Sequence, residues 1–447
     1  MITKFIVENF KPFDSSAELN LISSSKIRVK PDHRIAVTKN IKVLKNAVIY
    51  GANASGKSNL IDAVSFFVDV VYNGLPIDPS RLYCRNKDGN ENKDSVFEIQ
   101  IEIEGKFYAY GFSTILKKRK ITGEWLYQLN LSGNGTCIFE REMEKKPKLG
   151  KGIDLSVEEK GRFDTYSSDF ENNTTSLFLS EMNRGKKLSN GFDAFNTIYK
   201  AITDGIVIIT PHSKFLNFQQ YHNMDSLPDI TNLIKSFDTG VSDIRIEEID
   251  ENELKRMLPI EVLMSINSKL VRFRKDFPSL PAKISGRADK AFFCVEMDLT
   301  GEIRVKTIKM THGNSIGDFR FDEESDGTIR LFDLIDILLT KSDDIVFFVD
   351  ELERSLHPKV TERFLDLYFS LHKNDKVQLI FTTNDTMLMD QDIFRRDEIW
   401  FVERDKDNNS TLYPLDRFKE RYDKKLSKAY LEGRYGAIPV ISKRNNY

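Results

Sequence analysis

Cysteine is scarce in this 447-residue chain: Cys84, Cys137 and Cys294 are the only three, and they stand far apart in sequence. So few unclustered thiols fit reduced thiols in the core better than a disulfide framework or a clustered zinc site. Long apolar runs are missing as well. The best are short stretches such as Ile345–Val349, well below the roughly 18 residues of a membrane helix, which excludes a helical span. The start, Met1-Ile2-Thr3-Lys4-Phe5, has no basic segment leading into an apolar one, so a cytoplasmic protein without a membrane partner is expected. Neither sign of charge is in excess. Lys and Arg number 66 against 68 Asp and Glu, a formal net charge of −2, so any contact with nucleic acid needs a local patch. The six histidines, His33, His212, His222, His312, His357 and His372, form no HExxH pattern or i, i+4 pair, which argues against a histidine-held metal.

Hydrophobic residues make up 40% of the chain, with 32 Phe and 15 Tyr, and that apolar surface excludes wholesale disorder. The length exceeds one ordinary domain of about 150 residues, although one large α/β unit with an insertion also fits. Residues 2–10 alternate and end in Asn9-Phe10-Lys11-Pro12-Phe13, a strand entering a turn, with a partner strand near 18–23. The run 41–50 ends in nearly continuous apolar positions, as a strand buried on both faces does. Beyond it, Leu60, Ala63, Val64, Phe67, Val68 and Val71 recur at helical spacing. Residues 96–142 read as an antiparallel meander with a tight turn at Glu104-Gly105. Lys117-Lys118-Arg119-Lys120 lies in or beside a hairpin turn and reads as a solvated edge. A charged stretch covers 144–172, and helical patterns run from Leu177 to Ala201 and from about 228 to 275. Strand-like alternation returns after Ala291, followed by a helix from Thr328, the strand Ile345–Val349, a helix from Pro358 and the strand Val377–Phe381. Apolar strands separated by helices imply one parallel sheet covered on both faces. The expected fold class is α/β, with residues 1–143 and 290–447 forming one split domain around a helical lobe inserted at 144–289.

Gly51-Ala52-Asn53-Ala54-Ser55-Gly56-Lys57-Ser58 matches the P-loop pattern in full, after a buried strand and before a helix. Backbone N–H groups of such a loop point at a bound polyphosphate, and the helix N-terminus adds about half a positive charge. Gly51, Asn53, Ala54, Ser55, Gly56, Lys57, Ser58 and Asn59 are therefore the candidate nucleotide-binding residues, with Lys57 reaching the β- and γ-phosphates and Ser58 ligating Mg²⁺. A hydrolysing site also needs an acid beside the metal and often a carboxylate to activate water. Asp350 and Glu351, at the end of the apolar strand Ile345–Val349, supply a metal acid and a candidate base.

Together with these motifs, Phe5-Ile6-Val7-Glu8-Asn9-Phe10-Lys11-Pro12-Phe13, Glu324-Ser325-Asp326-Gly327-Thr328 and Leu352-Glu353-Arg354-Ser355-Leu356-His357-Pro358 resemble the ABC-type ATPase heads of the RecF/SMC/OLD branch. The tail Tyr430–Pro439 and the overall size are similar to stand-alone ATPases of bacterial abortive-infection and anti-phage operons, of the RloA-, AbiL-, AriA- and PtuA-like kinds. The resemblance implies a P-loop NTPase of ABC-head type with an antiparallel β subdomain. It also implies a composite site in which Ser325 and Gly327 of one copy reach the γ-phosphate held by another. By itself, Ser325 before a helix also reads as an ordinary cap, and Asn9–Lys11 as a turn or as a nucleotide contact. Such heads place a histidine after the strand that follows the metal acid; here Asn384 stands there, able to hydrogen-bond but unable to take a proton near neutral pH.

The expected activity is ATP hydrolysis with Mg²⁺, with Glu351, Lys57 and Asn384 as the catalytic set. The implied partners are a second copy, or a ring of copies, and a separately encoded effector, in particular a nuclease, acting in phage defence. Two alternatives stay open: an ATP-dependent clamp on DNA of RecF or SMC type, and a nucleotide-gated sensor without turnover. The chain carries no sustained heptad pattern for an SMC-type arm and no acidic cluster of a fused nuclease.

Overall fold

All five residues of the strand Asn46–Tyr50 are buried, as a strand covered on both faces requires, and it lies inside a six-stranded sheet. The order across that sheet is Ile206–Ile209, Val346–Val349, Gln378–Thr382, Asn46–Tyr50, Ile399–Arg404, Ser410–Pro414. The middle four run parallel, and the last is antiparallel to its neighbour. The expectation that the P-loop strand and the two late apolar strands share one parallel sheet is met in this computed structural model. It describes residues 1–130, 133–184, 190–211, 216–217, 227–341, 344–418 and 425–439.

The chain divides into two compact units. The first comprises Met1–Ile208, Ser342–Leu352 and Lys373–Tyr447, the second Ile209–Lys341 and Glu353–His372. Within the first unit, a seven-stranded antiparallel sheet runs in the order Lys148–Leu149, Gly135–Glu142, Lys120–Leu129, Lys106–Ile115, Ser95–Ile103, Ile2–Glu8, Ala17–Asn20. Glu104 and Gly105, at φ 50° and 80°, make the tight turn expected there, with both central residues in the left-handed region. The helix Lys57–Asn73 packs on this sheet. Phe67 stacks on Phe112 at 5.6 Å and meets Phe5 edge-on at 6.1 Å, while Phe66 lies 5.0 Å from Phe97.

The second unit holds an antiparallel sheet of Leu216–Asn217, Ala282–Ala288, Ala291–Met297, Ile303–His312 and Val241–Ile249. The helix Ile260–Asp276 buries Val262, Ile266 and Leu270 with Ile284, Phe293 and Val295 of that sheet. The helices Asp326–Leu339 and Pro358–Leu371 also belong to this unit.

This division differs from the expected helical lobe at 144–289. Residues up to 208 pack with the first unit: Phe163, Phe178 and Phe195, on three short helices, form an aromatic cluster with Phe139 of the meander. Past that point the segment contains strands as well as helices. Val241–Ile249, read as helical from the sequence, pairs along its length with Ile303–His312. Its partner lies some sixty residues later, and a charged stretch with isoleucines at 244, 246 and 249 looks helical until that partner is known. The strand Ala291–Met297 is present, but in this antiparallel sheet and not the parallel one. His212 and His222 lie outside the described residues.

Phe67→Ala is expected to destabilise the chain by about 3–5 kcal/mol, since it removes a fully buried ring from three aromatic neighbours, and a shift in the guanidinium unfolding midpoint measures this. Burial pushes the Cys294 thiol up to about 11, above its ordinary 9.0. Its contribution to stability is therefore whole below pH 9 and fades as pH rises towards 11. A thiol reagent at neutral pH is expected to label Cys294 only after denaturant is added; rapid labelling of the folded chain contradicts this.

Candidate functional site

Register places the chemistry. Along the three central strands of the parallel sheet, Thr382 stands beside Ile49 and Phe381 beside Val349. Their carboxyl ends thus reach the same edge, and the residues that follow, Gly51, Asp350 and Thr383, emerge together where ligands of open α/β sheets bind.

The loop after the first of these strands turns sharply into the helix. Ala54 sits at φ 62° and Gly56 at φ 113°, and the helix begins at Lys57 with no side-chain cap. The uncapped first-turn amides, Lys57 to Asn59, leave N–H groups directed at the mouth of the loop. Two of its glycines are required by space. A Cβ on Gly51 would lie 2.4 Å from the carbonyl oxygen of Val402, and one on Gly56 would lie 2.7 Å from Ser410 Oγ and 3.2 Å from Pro12. Ser410 braces the loop from outside, donating from Oγ to the Ser55 carbonyl and from its amide to the Pro12 carbonyl. Lys57, nearly buried, points its ammonium into the ring and donates to the carbonyls of Gly51 at 2.7 Å and Ala52 at 3.3 Å. Ser55 Oγ is buried there without a hydrogen-bond partner, while Asn53, Ala54 and Ser58 are exposed. Lys11, from the early turn, pairs with Asp62 on the P-loop helix at 2.5 Å.

Asp350 is 6% exposed and accepts from Thr382 Oγ1 at 2.6 Å. Glu351, at φ 50°, donates its amide to the same hydroxyl at 2.8 Å. Asn384 is exposed two residues beyond Thr382, on the turn where Thr383 Oγ1 accepts from the Asp385 amide. The first unit thus brings together Gly51 to Asn59, Asp350, Glu351 and Asn384.

Ser325 and Gly327 belong to the second unit. Ser325 caps the helix Asp326–Leu339, its Oγ accepting from the Thr328 amide at 3.1 Å. A Cβ on Gly327 would lie 2.9 Å from the Ser355 carbonyl oxygen, so only glycine lets the turn containing Ser355, itself at φ 60°, lie against the helix tip. Lys290 pairs with Asp326 at 2.9 Å and holds its carboxyl below the usual range. Further along the helix, Asp333 takes a two-pronged bond from Arg287, both contacts 2.7 Å; burial nevertheless raises its pKa, the arginine opposing.

The donors suit a magnesium ion. Ser58 and Asp350 offer oxygen, and among the described residues no group of three or more His, Cys, Asp or Glu could hold a metal. Mg²⁺ keeps several waters and takes one or two protein oxygens plus substrate phosphates, and this donor set fits that habit. Sequence reasoning missed Thr382, Ser410 and the contact of Gly327 with Ser355. A hydroxyl ending an otherwise apolar strand was the available signal for the first; the other two come from residues remote in sequence.

A glycine cradle running into a helix, with two acids at the end of the next strand but one in the same sheet, defines a P-loop ATPase fold. The chain belongs to the family described as "AAA domain, putative AbiEii toxin, Type IV TA system", whose model matches residues 47–390, well over half of its length. A comparison with curated protein sequences gives no match. Among solved structures, the chain is similar to an SMC head bound to the C-winged helix domain of ScpA, at 12% identity over 92% of this chain and 97% of that one, with a TM-score of 0.42. It is also similar to the SMC head domain from Thermotoga maritima, at 14% identity over 92% and 98%, with a TM-score of 0.33. Among the described residues no helix is long and apolar enough to cross a membrane.

Gly56→Ala is expected to abolish nucleotide binding and to lower stability by about 1–3 kcal/mol, because a side chain is strained at that φ and meets Ser410. Binding of a fluorescent ATP analogue and a thermal melt measure the two effects.

Proposed function

We propose that this chain binds Mg-ATP in the Gly51–Ser58 loop and hydrolyses it in a dimer, or larger assembly, of ABC type. The observation that carries this reading is the common strand edge shared by the cradle, Asp350 and Glu351. Lys57 and the first-turn amides bind the β- and γ-phosphates. Ser58 and Asp350 would hold a magnesium ion, which would supply positive charge against that developing on the phosphates. Glu351 takes a proton from the attacking water. Asn384 orients that water or the γ-phosphate by hydrogen bonding, without a charge of its own.

Ser325 and Gly327 of one copy complete the site of a second by presenting a helix tip to the γ-phosphate. The Lys290 pairing with Asp326 offsets the acid at that tip and so favours an approaching phosphate. The paired heads scaffold or restrain a separate effector in defence against phage, a role supported by the AbiEii name of the family.

Lys57→Ala is expected to lose ATP binding. Glu351→Gln should bind ATP as the unaltered chain does but turn it over about 10²–10⁴-fold more slowly, measured by phosphate release. Wild-type hydrolysis by Glu351→Gln would overturn the assignment of the base.

A further inference from the structure

We infer that Thr382 is a positioning residue that aims both strand-end acids, Asp350 and Glu351, through its single hydroxyl. This rests on the reading of the site as a Mg-ATP centre. The strand Gln378–Thr382 is wholly buried, and Leu379-Ile380-Phe381 are apolar, so packing alone would be served at its end by valine, which has nearly the shape of threonine. A hydroxyl buried there costs free energy unless it is bonded.

Thr382 is 0% exposed, and its hydroxyl is bonded twice: Oγ1 donates to Asp350 Oδ1 at 2.6 Å and accepts the Glu351 amide at 2.8 Å. The directions are fixed, because an amide N–H can only donate and the hydroxyl has one proton to give. The Thr382 carbonyl in turn accepts from the Leu352 amide at 3.1 Å. Three consecutive residues, 350 to 352, are therefore tied to one residue of the adjacent strand.

Two effects on the chemistry follow. Oδ1 of Asp350 is committed to the Thr382 hydroxyl, so that bond sets how the carboxylate would meet a metal's water shell. Glu351 is held at φ 50°, a conformation costly for a glutamate, and the bond from its amide to Thr382 fixes the backbone from which its side chain departs.

The test compares the unaltered chain with Thr382→Val, which keeps shape and removes the hydroxyl, and Thr382→Ser, which keeps the hydroxyl. Binding of a fluorescent ATP analogue with and without Mg²⁺ and phosphate release over a range of Mg²⁺ are the readouts. Thr382→Val is expected to bind nucleotide normally without Mg²⁺, to need more Mg²⁺ for half-saturation, and to lose about 10–100-fold in kcat with little change in KM for ATP. Thr382→Ser should restore both. Should Thr382→Val fail to fold by thermal melt, Thr382→Ala carries the same comparison in a smaller side chain. Wild-type Mg²⁺ dependence and kcat without the hydroxyl, or a Thr382→Ser chain as impaired as Thr382→Val, overturns the inference. Absence of turnover in the unaltered chain would instead count against the hydrolysis reading, while the Mg²⁺ dependence of binding still decides the role of Thr382.

Discussion

The backbone register of three parallel strands is the constraint on which the candidate site depends. Asn46–Tyr50, Gln378–Thr382 and Val346–Val349 are hydrogen-bonded side by side with their carboxyl ends level. Residues more than 290 positions apart thereby emerge within reach of one bound molecule. Side chains in a strand alternate faces with a period of two, so a slip of one residue would turn Asp350 to the opposite face of the sheet. The bonds from Thr382 to Asp350, Glu351 and Leu352 hold the two strand ends in this register.

Within each unit, the fold uses small groups where backbones must approach closely. Gly51 and Gly56 allow the loop to lie against Val402, Ser410 and Pro12, and Gly327 allows a turn to lie against a helix tip. The loop is thus held by elements from both ends of the sequence: the turn carrying Pro12 and the strand Ser410–Pro414. A phosphate cradle fixed in this way loses little conformational freedom when a ligand arrives, which favours binding.

Much of this was legible in the sequence because the relevant signals are local. A run of apolar residues ending in a glycine-rich loop identifies Asn46–Tyr50 and the P-loop without knowledge of any partner, and Phe347-Phe348-Val349-Asp350-Glu351 does the same for the strand that carries the acids. The Glu104-Gly105 hairpin was legible for the same reason. Less legible was whatever depends on distant pairing. Val241–Ile249 carries enough charge to resemble a helix surface, and only its pairing with Ile303–His312 makes it a strand. The expected boundary at 144 failed to anticipate that Phe163, Phe178 and Phe195 would gather around Phe139, since nothing local in a charged segment announces which sheet its few aromatics will cover. Thr382 went unnoticed because a threonine at a strand end is ordinary until its two bonding partners are seen.

The claim that two copies share each nucleotide is tested most directly by multi-angle light scattering of the unaltered chain as Mg-ATP is added. A rise from the 51.7 kDa protomer to twice that mass or more, absent when Lys57→Ala replaces the unaltered chain, is the expected result. A chain that binds ATP while its mass stays that of a single protomer would contradict the account.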